Sequence, residues 1–283
     1  MAEEHDRRKA APWDLTDAPW AIVEPLIPAS RNNRGGRPRE LDLRAVLTTL
    51  RYLNRRGCQG EMRPHDLLPK SSGDDYFAQW RDEGTWTKRL TAVRERGRRE
   101  AGREPSPSAA CLDSQSVKTP EVGGKARGYD GGKKIKGRKR PLLVDPLGLL
   151  LAVVITSAHI DEGAAAVDLL TQIRAQDFPR LETLCGDTTY PNPALDAWLA
   201  KDRPGWRIAV KARPAGSKGC TPVRKRGGVE RTKAWNGRAR RKSKDYERKP
   251  ESAAAMIHLS NIPLRLRKLA PATQREFHYA AAA

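Results

Sequence analysis

The chain has 283 residues, 38% of them hydrophobic, which is room for one large or two ordinary domains with a buried core. Its formal charge of +20, from 54 Lys and Arg against 34 Asp and Glu, points to a polyanionic partner, most simply nucleic acid. Four scattered cysteines without a C-x-x-C pair, an apolar run (142–155) broken by Asp145, Pro146 and Gly148, and a polar N-terminus argue against a disulfide scaffold, a zinc site, a membrane span and a signal peptide. The expectation is a cytoplasmic, nucleoid-associated protein with reduced, buried thiols.

In chain order, residues 13–28 (WDLTDAPWAIVEPLIP) read as a short helix with Thr16 as N-cap, ended by Pro25 and Pro28. GGRPRE at 35–40 reads as a basic loop. Leu43, Val46, Leu47, Leu50 and Leu53 then fall at helical spacing, with arginines off the stripe and Gly57 as a stop. Helices over 74–81 and 85–99 follow. The expectation for residues 1–105 is a small helical domain, either a helix-turn-helix-like DNA-binding unit or a packing module.

After the PSPS linker at 105–108 the pattern changes. Strands are predicted over 109–117, over 141–155 as two strands meeting at an Asp145-Pro146 turn, over 181–185 and over 206–210; helices are predicted over 161–175, 192–200, from 229 onward and over 251–269. Three early strands followed by alternating helix and strand give an α/β fold with a ribonuclease-H-like mixed sheet and helices on both faces, over residues 106–270, with 271–283 as a tail.

Asp113 lies inside the first of these strands, and an acid there is costly to bury without a cation. Asp187 follows the apolar LETLC of the fourth strand. In the assumed topology these strands are neighbours, so the two carboxylates sit side by side, and a divalent ion would relieve their repulsion. Glu230, in VERTKAW, would approach from the next helix. Three hard oxygen donors without His or Cys suit two Mg²⁺ or Mn²⁺ ions per site and an in-line displacement at phosphorus. Taken singly, Asp113 also reads as a turn residue, Asp187 as a helix cap and Glu230 as a surface ion-pair residue.

The charge is concentrated beside these acids. Residues 118–140 hold nine Lys/Arg against two Asp/Glu, and 211–249 hold fifteen against three. Lys133, Lys134, Lys136 and Arg138 lie in a glycine-rich stretch expected to be a mobile loop that phosphates order, with Tyr129 placed to stack on a base. Arg226, Arg231, Arg238, Arg240, Arg241, Lys242 and Lys244 are the candidate phosphate contacts around the acids.

LDSQSVKT, GYDGGKKIKGRKRPLLVD, LGLLLAVV, GDTTY, VERTKAW and RRKSKDYE together resemble the transposases of bacterial insertion sequences, the insertion-sequence-five group, and the resemblance runs from about Trp13 to Leu269. It implies a DDE transposase with Asp113, Asp187 and Glu230 as its acids, Arg226 as the arginine four residues before the Glu and Arg238 as the basic residue two turns after it. It further implies Mg²⁺-dependent nicking of the element's ends by water and attack of the freed 3′-hydroxyl on target DNA. The implied partners are double-stranded DNA bearing terminal inverted repeats and a second protomer.

The sequence departs from the family pattern in several places. Gly227 and Gly228 replace a bulky pair, Lys233 and Asn236 replace apolar residues and leave Trp235 as the expected anchor of the Glu230 helix. Thr189 stands where a glycine precedes Tyr190, Val223 replaces a tyrosine, and Pro263 is expected to interrupt the last helix. A catalytically silent DNA-binding derivative is the alternative reading, and an RNA-binding protein, resting on charge alone, the third.

Overall fold

The computed structural model describes residues 14–28, 41–121, 124–190, 192–210 and 227–270. The loop at 35–40, Cys220, Val223, Arg226 and the tail at 271–283 therefore lie outside the described residues.

The chain enters through helix α1 (Asp17–Val23), shorter than the sequence pattern and continued by a 3-10 turn at Glu24–Leu26. Helix α2 (Leu43–Arg56) forms where expected. The Asp42 carboxylate accepts from the amides of Arg44 and Ala45, Gly57 ends the helix at φ 72°, and Val46, Leu47, Leu50 and Leu53 are its buried stripe. Helices α3 (Lys70–Asp82) and α4 (Thr85–Glu100) follow, with Trp80 and Trp86 packed edge to face at 5.3 Å.

The sheet begins with β1 (Ala109–Lys118), pairs of which run antiparallel to β3 (Ile135–Val144) and parallel to β6 (Thr183–Gly186); β6 is in turn parallel to β7 (Arg207–Val210). The far edge of β3 carries β2 (Gly128–Asp130), β4 (Leu150–Val153) and β5 (Thr156–Ser157). With β1 between β3 and β6, the order is that of a ribonuclease-H-like mixed sheet.

Strand alternation divides the core. Ala110 and Leu112 of β1 pack with Leu143 and Leu184 beneath α5 (Glu162–Thr171) and α6 (Pro193–Asp202). Cys111, Leu142, Val144 and Cys185 point the other way, toward α7 (Gly227–Gly237), α8 (Pro250–Leu269) and the N-terminal helices. One apolar cluster runs from Leu15 and Leu50 through Trp80 and Leu90 to Ile257, Leu266 and the sheet. The helical region expected as a domain over 1–105 thus shares its core with α8 and this face of the sheet.

Three expectations are corrected. Residues 128–130 and 135–140, expected in a mobile loop, form the β2–β3 hairpin, with Gly128 opposite Gly137 and Asp130 opposite Ile135. Pro263 does not interrupt α8: its missing N–H removes one helical bond, but Leu259, Ile262 and Leu266 are buried on both sides of it and hold the helix to Leu269. Cys111 and Cys185 are buried as expected, whereas Cys58 is only half-buried.

Candidate active site

The β1–β6 ladder fixes the height of the two aspartates. Cys111 is opposite Cys185; Asp113 is two residues beyond the first and Asp187 two beyond the second, at the carboxyl end of β6. Asp113 belongs to the face of Cys111, and the face of Cys185 leads to Asp187. Asp113 is 14% exposed, with Oδ1 accepting from the Ser114 amide at 2.7 Å. The Asp187 carboxylate accepts from the amide of Thr189 at 2.9 Å and from its hydroxyl, a local turn that fixes the side chain above Gly186. The threonine that departs from the family pattern thus orients this aspartate.

Helix α7 crosses this face and presents the third acid. Its first turn is held by close backbone approach: a Cβ on Gly228 would stand 3.0 Å from the Asp145 carbonyl oxygen, and Gly148, at φ 75°, faces Gly228 from the β3–β4 turn. The Thr232 hydroxyl donates to the Gly148 carbonyl at 2.6 Å, and Arg265 donates to the same oxygen at 2.8 Å. Val229 is fully buried. Asn236 is also buried, accepting from Asn261 at 3.0 Å. Trp235 is therefore not the main anchor; it is half-buried, and Val229, Thr232 and Asn236 fix the helix. Glu230 is exposed in the first turn, where the helix dipole favours a carboxylate.

Lys233, one turn after Glu230, reaches the centre of the site. Its Nζ lies 2.6 Å from Asp113 Oδ2 and donates to the Ser114 carbonyl at 2.8 Å. Glu230 stands one turn before Lys233 on the same helix. On the opposite face of β1 the Ser114 hydroxyl donates to Glu162 at 2.8 Å, and Lys133 and Lys139 each pair with Glu162 at 3.3 Å. Sequence reasoning missed these roles. Lys233 carried a signal, a charge where the family has an apolar side chain; Glu162 carried none beyond the Asp161-Glu162 helix start.

The hard carboxylate oxygens of Asp113 and Asp187 are donors that suit a divalent ion, and to that extent the residues fit one. Their present rotamers do not assemble a cage: among the described residues no three His, Cys, Asp or Glu side chains lie close enough to hold a metal. An ammonium group stands on the central aspartate instead.

The basic residues divide into two groups. Tyr129, Lys133, Lys134 and Lys136 are exposed around the β2–β3 hairpin, and Arg231, Arg238 and Arg240 are exposed on and after α7. Arg138 is corrected: it is fully buried, pairs with Asp245 at 3.1 Å and donates to the carbonyls of Lys125, Glu247 and Arg248. Arg140 donates to the carbonyls of Lys242 and Lys244, so these two side chains strap the segment after α7 onto the sheet. Lys242 is buried, which pushes its ammonium down to about 7, and it is not a phosphate contact. Arg241 is committed to Glu247 at 2.7 Å.

A ribonuclease-H-like sheet with Asp113 on β1, Asp187 just past β6 and the helix carrying Glu230 on the same face has the architecture of a class of nucleic-acid-processing domain. Residues 104–262, more than half of the chain, match the family model described as a transposase DDE domain, and residues 15–90 match one described as a transposase of the IS4/5 family (DUF4096). The chain belongs to the DDE transposases, of IS4/5 type. Among curated proteins and among solved structures, none matches it significantly. DDE transposase domains generally use divalent metals and act on DNA. Among the described residues no helix is long and apolar enough to cross a membrane.

Proposed function

We propose that this transposase binds the terminal inverted repeats of its element, nicks the DNA at the ends, and joins the freed 3′-hydroxyl to target DNA. The observation that carries the reading is Asp113 on β1 and Asp187 one residue past its parallel neighbour β6, each two residues beyond the paired Cys111 and Cys185, with Glu230 one turn before the Lys233 that pairs with Asp113. In this reading the three acids are the catalytic residues and hold two Mg²⁺ or Mn²⁺ ions. The bound ions supply activation of the attacking oxygen and stabilisation of the leaving one. The chain's own part is to fix the acids: the Thr189 turn orients Asp187, the Gly148–Gly228 contact sets the start of α7, and Lys233 neutralises Asp113 until DNA and metal arrive.

Tyr129, Lys133, Lys134 and Lys136 on the hairpin, with Arg231, Arg238 and Arg240 beyond the acids, would hold the phosphates of the bound duplex; Arg226, four residues before Glu230, would join them. A second protomer completes the active complex, residues 1–105 recognise the ends, and the protein acts in the cytoplasm on the nucleoid. A supercoiled plasmid carrying the element's ends should be nicked in Mg²⁺ or Mn²⁺, and Asp113→Asn, Asp187→Asn and Glu230→Gln should each abolish nicking while retaining DNA binding.

One observation favours a second reading. Lys233 on Asp113 is the arrangement expected of a DNA-binding derivative that has lost cleavage. Binding of end DNA without nicking in either metal would select it.

A further inference from the structure

The last turns of α4, RERGRRE, put charge on both sides of the helix. Arg96 and Arg99 are exposed and pair with Glu100 and Glu95, whereas Arg94 and Arg98, one turn apart, continue the buried stripe of Leu90 and Val93. Arginine is seldom buried without a partner. Arg98 has two: its Nη1 donates to the fully buried carboxylate of Asp145, and its Nε donates to the Glu104 carbonyl at 2.6 Å.

Asp145 opens the turn between β3 and β4 and holds it from inside. Its Oδ1 accepts from the Leu149 amide at 2.7 Å, and its carbonyl accepts from the Gly148 amide at 2.8 Å. This turn is the seat of α7. Gly228 packs so closely on it that a Cβ would meet the Asp145 and Pro146 carbonyls at 3.0 and 3.2 Å, and Thr232 and Arg265 both donate to the Gly148 carbonyl. Glu230 is two residues after Gly228, so the turn that seats this end of α7 sets where the third acid stands.

A buried guanidinium–carboxylate pair adds little net stability over an apolar pair of the same volume. What it supplies is geometry, because a planar fork held at two points admits one orientation. Burial lowers the Arg94 guanidinium and lowers that of Arg265 to about 10, while attraction to Asp145 opposes the shift in both. The one carboxylate is thus a shared counter-charge for α4 and α8. Arg98 itself lies between the two segments that match family models, 15–90 and 104–262, and belongs to neither.

We infer that Arg98 is a positioning residue for Glu230: it clamps Asp145, Asp145 holds the turn, and the turn seats the first turn of α7. The role of Glu230 rests on the transposase reading; the clamp does not. The catalytic unit then extends back into the N-terminal helices.

The test uses the full chain with Arg98→Met and Asp145→Asn combined, which removes the pair without leaving a lone buried charge and keeps an oxygen for the Leu149 amide. Nicking of a plasmid carrying the element's ends should show kcat lower by about ten- to hundredfold, the scale of a small misplacement of a catalytic group, with KM for the DNA within about threefold of the parent. An unchanged kcat, or kcat and DNA binding lost together, overturns the inference. Amide exchange followed by mass spectrometry, without DNA or metal, should show residues 228–233 exchanging roughly tenfold faster in the double variant while β6 and α6 keep parental rates. Unchanged exchange at 228–233, or equal acceleration across the chain, would make Arg98 a structural residue only. A parent that never nicks removes the transposase reading alone, and the exchange result still decides the clamp.

Discussion

Replacing Lys233 with methionine tests how the face that carries Asp113 handles its charge. The ammonium is 2.6 Å from Asp113 Oδ2, with the two side chains 22% and 14% exposed. At an effective dielectric of about 20 the gross attraction is ~6 kcal/mol. Dehydration of both partners offsets most of this, leaving about 1.5–3 kcal/mol for a charge-assisted hydrogen bond. A divalent ion must displace that contact, so about 2 kcal/mol of its binding free energy is consumed, or roughly 30-fold in affinity. Titration of the DNA-free protein with Mn²⁺, followed by electron paramagnetic resonance, should show Lys233→Met binding the ion about 30-fold more tightly than the parent. Lys233→Arg should stay within a few-fold of the parent, and adding Asp113→Asn to Lys233→Met should remove the gain. Equal or weaker Mn²⁺ binding by Lys233→Met would refute the reasoning, because Lys233 would then support the site rather than compete for it.

Three further outcomes are accessible by unfolding experiments. Gly228→Val should cost about 1–3 kcal/mol, since its Cβ would crowd the Asp145 and Pro146 carbonyls at 3.0 and 3.2 Å, whereas Gly227→Ala, with open space around it, should gain about 0.5–1 kcal/mol in urea titrations. Arg138→Met should cost about 3–5 kcal/mol by leaving Asp245 buried and unpaired, visible as a Tm lower by roughly 10 °C; an unchanged Tm would remove the strap role. His258 is buried, and desolvation lowers its pKa to about 4. The unfolded chain therefore takes up the proton first, and the stability contributed by the neutral imidazole is present above pH 6.5 and lost as pH falls toward 4. Chemical unfolding across that window should show a loss of about 3 kcal/mol in the parent that His258→Leu lacks.

The parts of the fold that could be read beforehand are those where local chemistry decides the outcome. The α2 stripe with Gly57 at its end and the strands β1 and β6 are of this kind. What escaped depends on partners far along the chain. Arg138 looks like a phosphate ligand because its acceptors, the carbonyls of Glu247 and Arg248 among them, are 109 and 110 residues away in sequence. The same distance hid the hairpin, whose lysines and arginines show no apolar alternation. Lys233 was legible as an anomaly but not as a contact, because the register of α7 over β1 is set by the Gly148–Gly228 approach, which no periodicity encodes.

The shared core of the N-terminal helices and α8 also bears on synthesis. Helix α4 ends at Glu100 and α8 at Leu269, so at roughly 5–20 residues per second the first helices wait about 10–30 s for the helix that covers their apolar side. During that interval the nascent helices expose Trp80, Trp86 and Leu90, and a ribosome that stops before α8 releases a chain whose helical region lacks its apolar cover. A truncated product of this kind is a substrate for chaperones and proteases.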